Sequence, residues 1–251
     1  QRWEKTTIGR ALFNAIIHCH NAKRVRRTDG RATVTGDPTE VALVEFAQSH
    51  RLLHHEPMPR MSELPFDADR KRMSTIHWRE GRLVVFVKGA PESLVPLCTQ
   101  MLHHNVLSPM GQEDGLRIMG QSRAFARKAY RVLAVAMREI EQSSEKLDID
   151  QVEQNLTFLG LVAMIDPPRH EVPEAIARCH RAGVRTIMIT GDHPLTALAI
   201  ARQIGLATEE SRTELGGYSP VIEGQQVEAM TDEALRQLLT PTSPGEPEPV
   251  F

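Results

Sequence analysis

The hydrophobic positions along the chain change period several times. Over residues 7–22, Ile8, Leu12, Ala15, Ile16 and Cys19 recur at helical spacing and line one side of a helix. The polar, basic stretch 23–36 breaks that pattern and reads as a loop. Asp37 and Pro38 then open a second helix over 39–49. Aspartate is a good N-cap, proline suits the first helical position, and Glu40 stands three residues after the cap as in a capping box. Apolar and polar residues next alternate over 60–66 and 71–78. Glu80-Gly81 supplies a hairpin-type turn, and Leu83-Val84-Val85-Phe86-Val87 is a nearly continuous apolar strand. Residues 91–97 read as a short helix, 112–130 as a longer one, and 131–137 and 156–165 as further strands.

At Asp166-Pro167-Pro168 the pattern changes, because two consecutive prolines end a strand and stiffen the junction. A helix over 172–182, a strand over 184–190 closed by Gly191, and a helix over 194–204 follow. Strand and helix in alternation is the order of a parallel α/β unit. The expected fold class is α/β in two parts. Residues 1–162 form an α+β domain with an antiparallel sheet flanked by helices. Residues 163–240 form part of a doubly wound α/β unit. Residues 241–251 are a proline-rich tail whose composition favours disorder.

Composition narrows the classes. A chain of 251 residues holds one large domain or two ordinary ones. Thirty basic against 32 acidic residues leave a net charge of −2, so no global positive field exists to hold nucleic acid. The stretch 23–31 is locally basic, but it has no aromatic for stacking and reads as a solvated loop. No apolar run approaches the roughly 20 residues a membrane helix needs. The N-terminus lacks a signal-peptide core and does not begin with Met, which suggests a fragment or a processed chain. Cys19, Cys98 and Cys179 are far apart and read as three buried thiols rather than a disulfide framework or a zinc site. The eleven histidines form no HExxH pattern, and neither a GxSxG elbow nor a Walker A string occurs.

Four short strings carry the functional signal. They are Gly36-Asp37-Pro38-Thr39-Glu40, Phe66-Asp67-Ala68-Asp69-Arg70-Lys71-Arg72-Met73-Ser74, Lys88-Gly89-Ala90-Pro91-Glu92, and Asp166-Pro167-Pro168-Arg169 followed by Thr190-Gly191-Asp192. In this order and spacing the chain resembles the cytoplasmic part of P-type cation-transporting ATPases, nearest the calcium and sodium–potassium pumps, over almost its whole length. The resemblance implies a nucleotide-binding domain up to about residue 160. It also implies a partial phosphorylation domain of haloacid-dehalogenase-like fold after it. Further implications are ATP or ADP as ligand and Mg²⁺ accompanying the nucleotide. The remaining phosphorylation domain, the actuator and the membrane domains of a parent pump would be partners. The location would be the cytoplasmic side of a membrane, with this fragment soluble by itself.

The resemblance also assigns residues. Phe66 would stack on adenine, an interaction worth about 1–3 kcal/mol per base. By the residues alone a phenylalanine at a strand end reads as core, and it is the resemblance that reverses this. Lys88 and Gly89 would line the adenine pocket, glycine allowing close backbone approach. Glu40 would face the adenine amino group, in competition with its capping role. Lys71 and Arg131 would serve the phosphates, and Leu133 would be an apolar wall. Ala68 stands where the family often has a basic residue, leaving Arg70 or Arg72 to supply that contact. Thr190, Gly191 and Asp192 end a strand before a helix, a natural place for phosphate, although Asp192 also suits an N-cap. Asp166 resembles the hinge residue that positions the nucleotide.

Two family strings do not occur here. Asp-Lys-Thr-Gly-Thr carries the phosphoryl-accepting aspartate, and Gly-Asp-Gly-x-Asn-Asp helps hold Mg²⁺. The expectation is a chain that binds nucleotide without catalytic or metal residues of its own. Two alternatives are a non-catalytic protein-interaction module with a vestigial pocket, and a phosphatase using Asp148-Ile149-Asp150. The second lacks the apolar strand that such a nucleophile needs before it.

Overall fold

The computed structural model describes residues 6–26, 32–49, 58–103, 106–141, 152–165, 168–207 and 221–239. Two compact units divide the chain: residues 1–122 with 132–164, and residues 123–131 with 165–251. Asp166, the Asp148 and Asp150 pair and the proline-rich tail lie outside the described residues.

The first unit is built on a seven-stranded sheet. Its elements in chain order begin with helix α1 (Thr7–His18), strands β1 (Lys23–Arg26) and β2 (Ala32–Thr35), and helix α2 (Pro38–Ser49). Strands β3 (Arg60–Asp67), β4 (Arg72–Arg79) and β5 (Arg82–Gly89) follow, then the single-turn α3 (Pro91–Leu94) running into a 3₁₀ turn. Strands β6 (Cys98–His103) and β7 (Val106–Pro109), helix α4 (Gln112–Ala126, in this unit up to Ser122), and strands β8 (Arg131–Glu141, in this unit from Val132) and β9 (Leu156–Met164) complete it. The sheet order is β3-β4-β5-β8-β9-β6-β7, antiparallel in the β3–β4–β5–β8 block and parallel between β6 and β9.

Two-residue alternation sorts the strand side chains onto two faces. Met73, Val84, Phe86, Val135 and Leu159 pack with Ala15 of α1 and with Cys19 just after it, and Phe13 and Ile16 join Leu43 and Ala47 of α2 nearby. On the opposite face Ile76, Val85, Val87, Ala134 and Ala136 pack with Leu94 of α3 and Ile118 of α4. The sheet is thus covered by helices on both sides, which is why β5 is apolar at nearly every position. The β4–β5 hairpin turns at Glu80 (φ 48°) and Gly81 (φ 84°), two positive φ values in succession as a type I′ turn requires.

Several elements differ from the sequence reading. The basic stretch expected as a loop is instead an exposed two-stranded hairpin, Lys23 pairing with Thr35 and Arg26 with Ala32. Helix α4 ends at Ala126 rather than Tyr130. Ala129 takes a left-handed φ of 62°, and the Tyr130 amide bonds back to the Phe125 carbonyl at 3.2 Å, which closes the helix. Strands β6 and β7 were not foreseen.

The second unit contains helices α5 (Val172–Arg181), α6 (Pro194–Gln203), α7 (Gly224–Glu228) and α8 (Asp232–Leu239). Its core is Ala197, Leu198, Ala201, Ile204 and Leu206, against which Val172, Ile176 and Met188 pack. The expected strand over 184–190 is absent from any ladder among the described residues, with only an isolated bridge at Met188. Val184, Ile187 and Ile189 are exposed, so the apolar run has the composition of a buried strand without its neighbours.

Candidate functional site

One end of the large sheet gathers most of the sequence-selected residues. The register pairs Asp67 with Arg72, Arg72 with Gly89, and Gly89 with Ala134 across four adjacent strands. Phe66, Lys71, Lys88, Gly89 and Leu133 all lie within two residues of that line.

Phe66 sits on the edge strand β3, where the pairing with β4 shifts between Leu64 and Asp67. Pro65 explains the bulge, since proline donates no ladder hydrogen bond and is confined to edges and irregularities. A bulge re-aims side chains. Leu64 points into the core, whereas Phe66 is 66% exposed. Phe66 is therefore not a core residue. After it, Asp67 Oδ1 accepts from the amides of Asp69 and Arg70, and Lys71 closes the turn with φ 51°. Lys71 is exposed, with Glu92 as a loose partner at 3.9 Å.

Lys88 is the last side chain of the row Val84, Phe86, Lys88 on the face that carries α1 and α2. Its stem is buried, and its Nζ donates to Glu40 Oε1 of α2 at 2.7 Å. The two side chains are only 10% and 12% exposed. The Asn21 amide donates to the other oxygen, Oε2, at 2.9 Å. The capping box expected for Glu40 does not form. Asp37 Oδ1 accepts from the amides of Thr39 and Glu40, so the N-cap forms, but the Glu40 carboxylate turns to Lys88 instead of completing a capping box. Half-buried His20 adjoins this pair. Burial pushes its imidazole below the ordinary range, helped by the Lys88 charge, and its Nδ1 has no partner among the described residues.

Gly89 is explained by its neighbour rather than by open space. A Cβ there would lie 2.4 Å from Arg72 Cβ and 2.6 Å from the Lys71 carbonyl oxygen, so the close approach is to β4. Leu133 is half-buried against the cluster of Phe13, Ile16, Leu43 and Ala47. Arg131 begins β8 and is exposed.

Arg70 and Arg72, candidates for the contact missing at Ala68, are committed elsewhere. Glu153, whose side chain is 5% exposed, receives Arg70 Nη1 at 2.8 Å and Arg72 Nε at 2.6 Å. The Ser74 hydroxyl also donates to it. Burial alone would raise the Glu153 carboxyl, but the hydrogen bonds from Ser74, Arg70 and Arg72 outweigh it and hold it below the ordinary range. Sequence reasoning missed this network. Its one signal was Ser74, a hydroxyl at an inward-facing strand position, where a buried polar group needs a partner.

In the second unit, Thr190 Oγ1 and Asp192 Oδ2 lie 3.2 Å apart, and the Asp192 amide donates to Thr190 Oγ1 at 3.1 Å. Asp192 is not the N-cap of α6. His193 is, its Nδ1 accepting from the Leu195 amide at 3.2 Å. Gly191 is exposed, with nothing within 4 Å of the position a Cβ would take. Among the described residues no group of three or more His, Cys, Asp or Glu is arranged to hold a metal ion. No described helix is long and apolar enough to cross a membrane.

Comparison with known proteins shows the family. Residues 9–171 match the family model described as P-type ATPase, cytoplasmic domain N. The chain is 39% identical over 215 residues to calcium-transporting ATPase 1 of Bacillus cereus, covering 83% of this chain and 23% of that protein. It is 38% identical over 231 residues to calcium-transporting ATPase 1 of Lactococcus lactis, covering 91% of this chain and 25% of that one. It is also 35% identical over 226 residues to the sodium/potassium exporting P-type ATPase cta3 of Schizosaccharomyces pombe, covering 87% and 21%. The chain belongs to the P-type cation ATPase family and carries its cytoplasmic N domain. It spans about a quarter of the length of these relatives.

Proposed function

We propose that the sheet end formed by β3, β4, β5 and β8 binds ATP or ADP, the adenine stacking on Phe66 beside Lys88 and Glu40. The observation that carries this reading is Phe66 itself: a large ring turned out of the core by a bulge, two strands from a buried Lys–Glu pair. An exposed aromatic offers a face to a base, and a lysine and a carboxylate held together offer a donor and an acceptor to its polar edge. Lys71 and Arg131 are proposed to serve the phosphates, and Leu133 the apolar side. Thr190, Gly191 and Asp192, with Asp166, are proposed to act at the phosphoryl end of the reaction. Mg²⁺ would arrive with the nucleotide's phosphates. In the parent pump the γ-phosphoryl group would pass to an aspartate that this sequence does not contain, so ATP positioning is the share of the reaction proposed here. The remaining phosphorylation, actuator and membrane domains would be its partners.

Calorimetric titration with ATP tests the reading. Saturable binding of one nucleotide is expected with a Kd nearer millimolar than nanomolar, since one stacked base and a few exposed cations give about −4 to −6 kcal/mol. Phe66→Ala should weaken it roughly tenfold. Unaltered binding by that variant would remove Phe66 from the site.

A further inference from the structure

The buried Glu153 carboxylate engages two arginines of the segment that follows Phe66. Glu153 receives both Arg70 and Arg72. Arg70 Nη2 then donates to the carbonyl oxygen of Pro65, the residue before Phe66, at 2.8 Å. Arg72 Nη1 donates to the carbonyl oxygen of Arg70 at 3.1 Å. One carboxylate thus fixes two guanidiniums, and these fix the backbone on both sides of the Phe66 bulge.

We infer that Glu153 is a positioning residue for nucleotide: through Arg70 and Arg72 it holds the 65–72 turn so that the Phe66 ring stands ready for a base. This rests on the adenine site proposed above and deepens it. An edge-strand bulge with an unpacked ring has little apolar contact of its own to define its orientation. Arginine, with its planar fork, suits the task because it can engage a carboxylate and a carbonyl together. The same cluster occupies both guanidiniums, Arg70 on Glu153 and the Pro65 carbonyl, Arg72 on Glu153 and the Arg70 carbonyl. The adenine platform and the phosphate contacts are thereby kept as separate functions, with Lys71 left to face solvent between the two arginines.

The test compares wild type, Glu153→Gln and the milder Arg70→Lys in the 251-residue chain, each titrated with ATP and with adenosine. Arg70→Lys keeps a cation but loses the fork, and Arg72 and Ser74 still satisfy Glu153, so it remains folded if Glu153→Gln does not. Two readouts are taken: affinity, and the backbone relaxation of residues 66–71 without nucleotide. Both variants are expected to loosen the turn and to weaken adenosine and ATP by the same factor, roughly fivefold. An unchanged turn with unchanged adenosine affinity would overturn the inference. So would ATP binding more tightly while adenosine stays constant, because the arginines would then be phosphate ligands restrained by Glu153. Failure of wild type to bind either ligand would sink the adenine site instead, and is distinguishable because turn mobility is read without nucleotide.

Discussion

Phe66 has two thirds of its surface open and a bulge beneath it, so its removal should separate binding from stability. Phe66→Ala is expected to change folding stability by less than about 0.5 kcal/mol, the range of ordinary surface substitutions. Nucleotide binding should meanwhile fall by about 1–3 kcal/mol. Urea unfolding paired with calorimetric titration checks both halves. The Lys88–Glu40 pair behaves differently because it is buried. Lys88→Met leaves Glu40 without its cation and should destabilise by about 3 kcal/mol, whereas Lys88→Met with Glu40→Gln should cost clearly less. A double-mutant cycle showing strictly additive losses would contradict a coupled pair. The cysteines offer a third residue-scale check. Burial pushes the Cys19 thiol up to about 11 and the Cys98 thiol up to about 12, while Cys179 is only partly buried. A thiol reagent at pH 8 should modify Cys179 first and reach the other two only on unfolding. Equal rates at all three would contradict this arrangement.

At the scale of elements, what could be read from the sequence followed burial. The β4–β5 hairpin announces itself because both strands are inward-facing and Gly81 marks the turn. The Asp37-Pro38 start of α2 is legible because capping chemistry is local. The β1–β2 hairpin gives no such signal: Lys-Arg-Val-Arg is exposed at every position, so no face requires an alternating pattern. The error over 184–190 has the opposite origin. Val184, Ile187 and Ile189 have strand-like composition, but a strand needs neighbours, and hydrogen-bonding partners cannot be read from a local window. The candidate site divides in the same way. The Phe66, Lys88 and Glu40 strings were legible as motifs, but the pairing of Lys88 with Glu40 depends on α2 packing over β5, a contact 48 residues apart. Glu153 was invisible because it reaches Ser74 across 79 residues from a polar segment. Gly89 shows how an element can explain a motif residue. Gly89→Ala forces β5 off β4 at the end of the hairpin away from its turn and should destabilise by about 2 kcal/mol, measured by urea unfolding. A near-neutral result would mean that the strands separate freely there.

For the whole molecule, three groups among the described residues make stability depend on acid. Burial holds His20 and His77 below the ordinary 6.5. His77, 2% exposed, donates from Nδ1 to the Met58 carbonyl, so a second ring proton would be carried in a site closed to water. The unfolded chain therefore binds these protons first, and stability present above pH 6.5 is lost as pH falls through the lower folded values. Glu153 acts in the next window. Its folded carboxyl lies below the ordinary 4.5, so its contribution is complete above that value and disappears as pH falls beneath it. Denaturant midpoints between pH 8 and pH 3 should decline in two stages, and His77→Gln should remove much of the first. A flat profile down to pH 4 would contradict the buried neutral imidazoles.

Adenine binding by this N domain is proposed at the sheet end built by β3, β4, β5 and β8. Two-dimensional amide NMR during titration with ATP, on wild type and Phe66→Ala, tests it most directly. Saturable shifts are expected to move together at Phe66, Lys71, Lys88 and Leu133, with the same pattern at weaker affinity in the variant. No shifts at several millimolar ATP, or shifts confined to the basic β1–β2 hairpin, would contradict it.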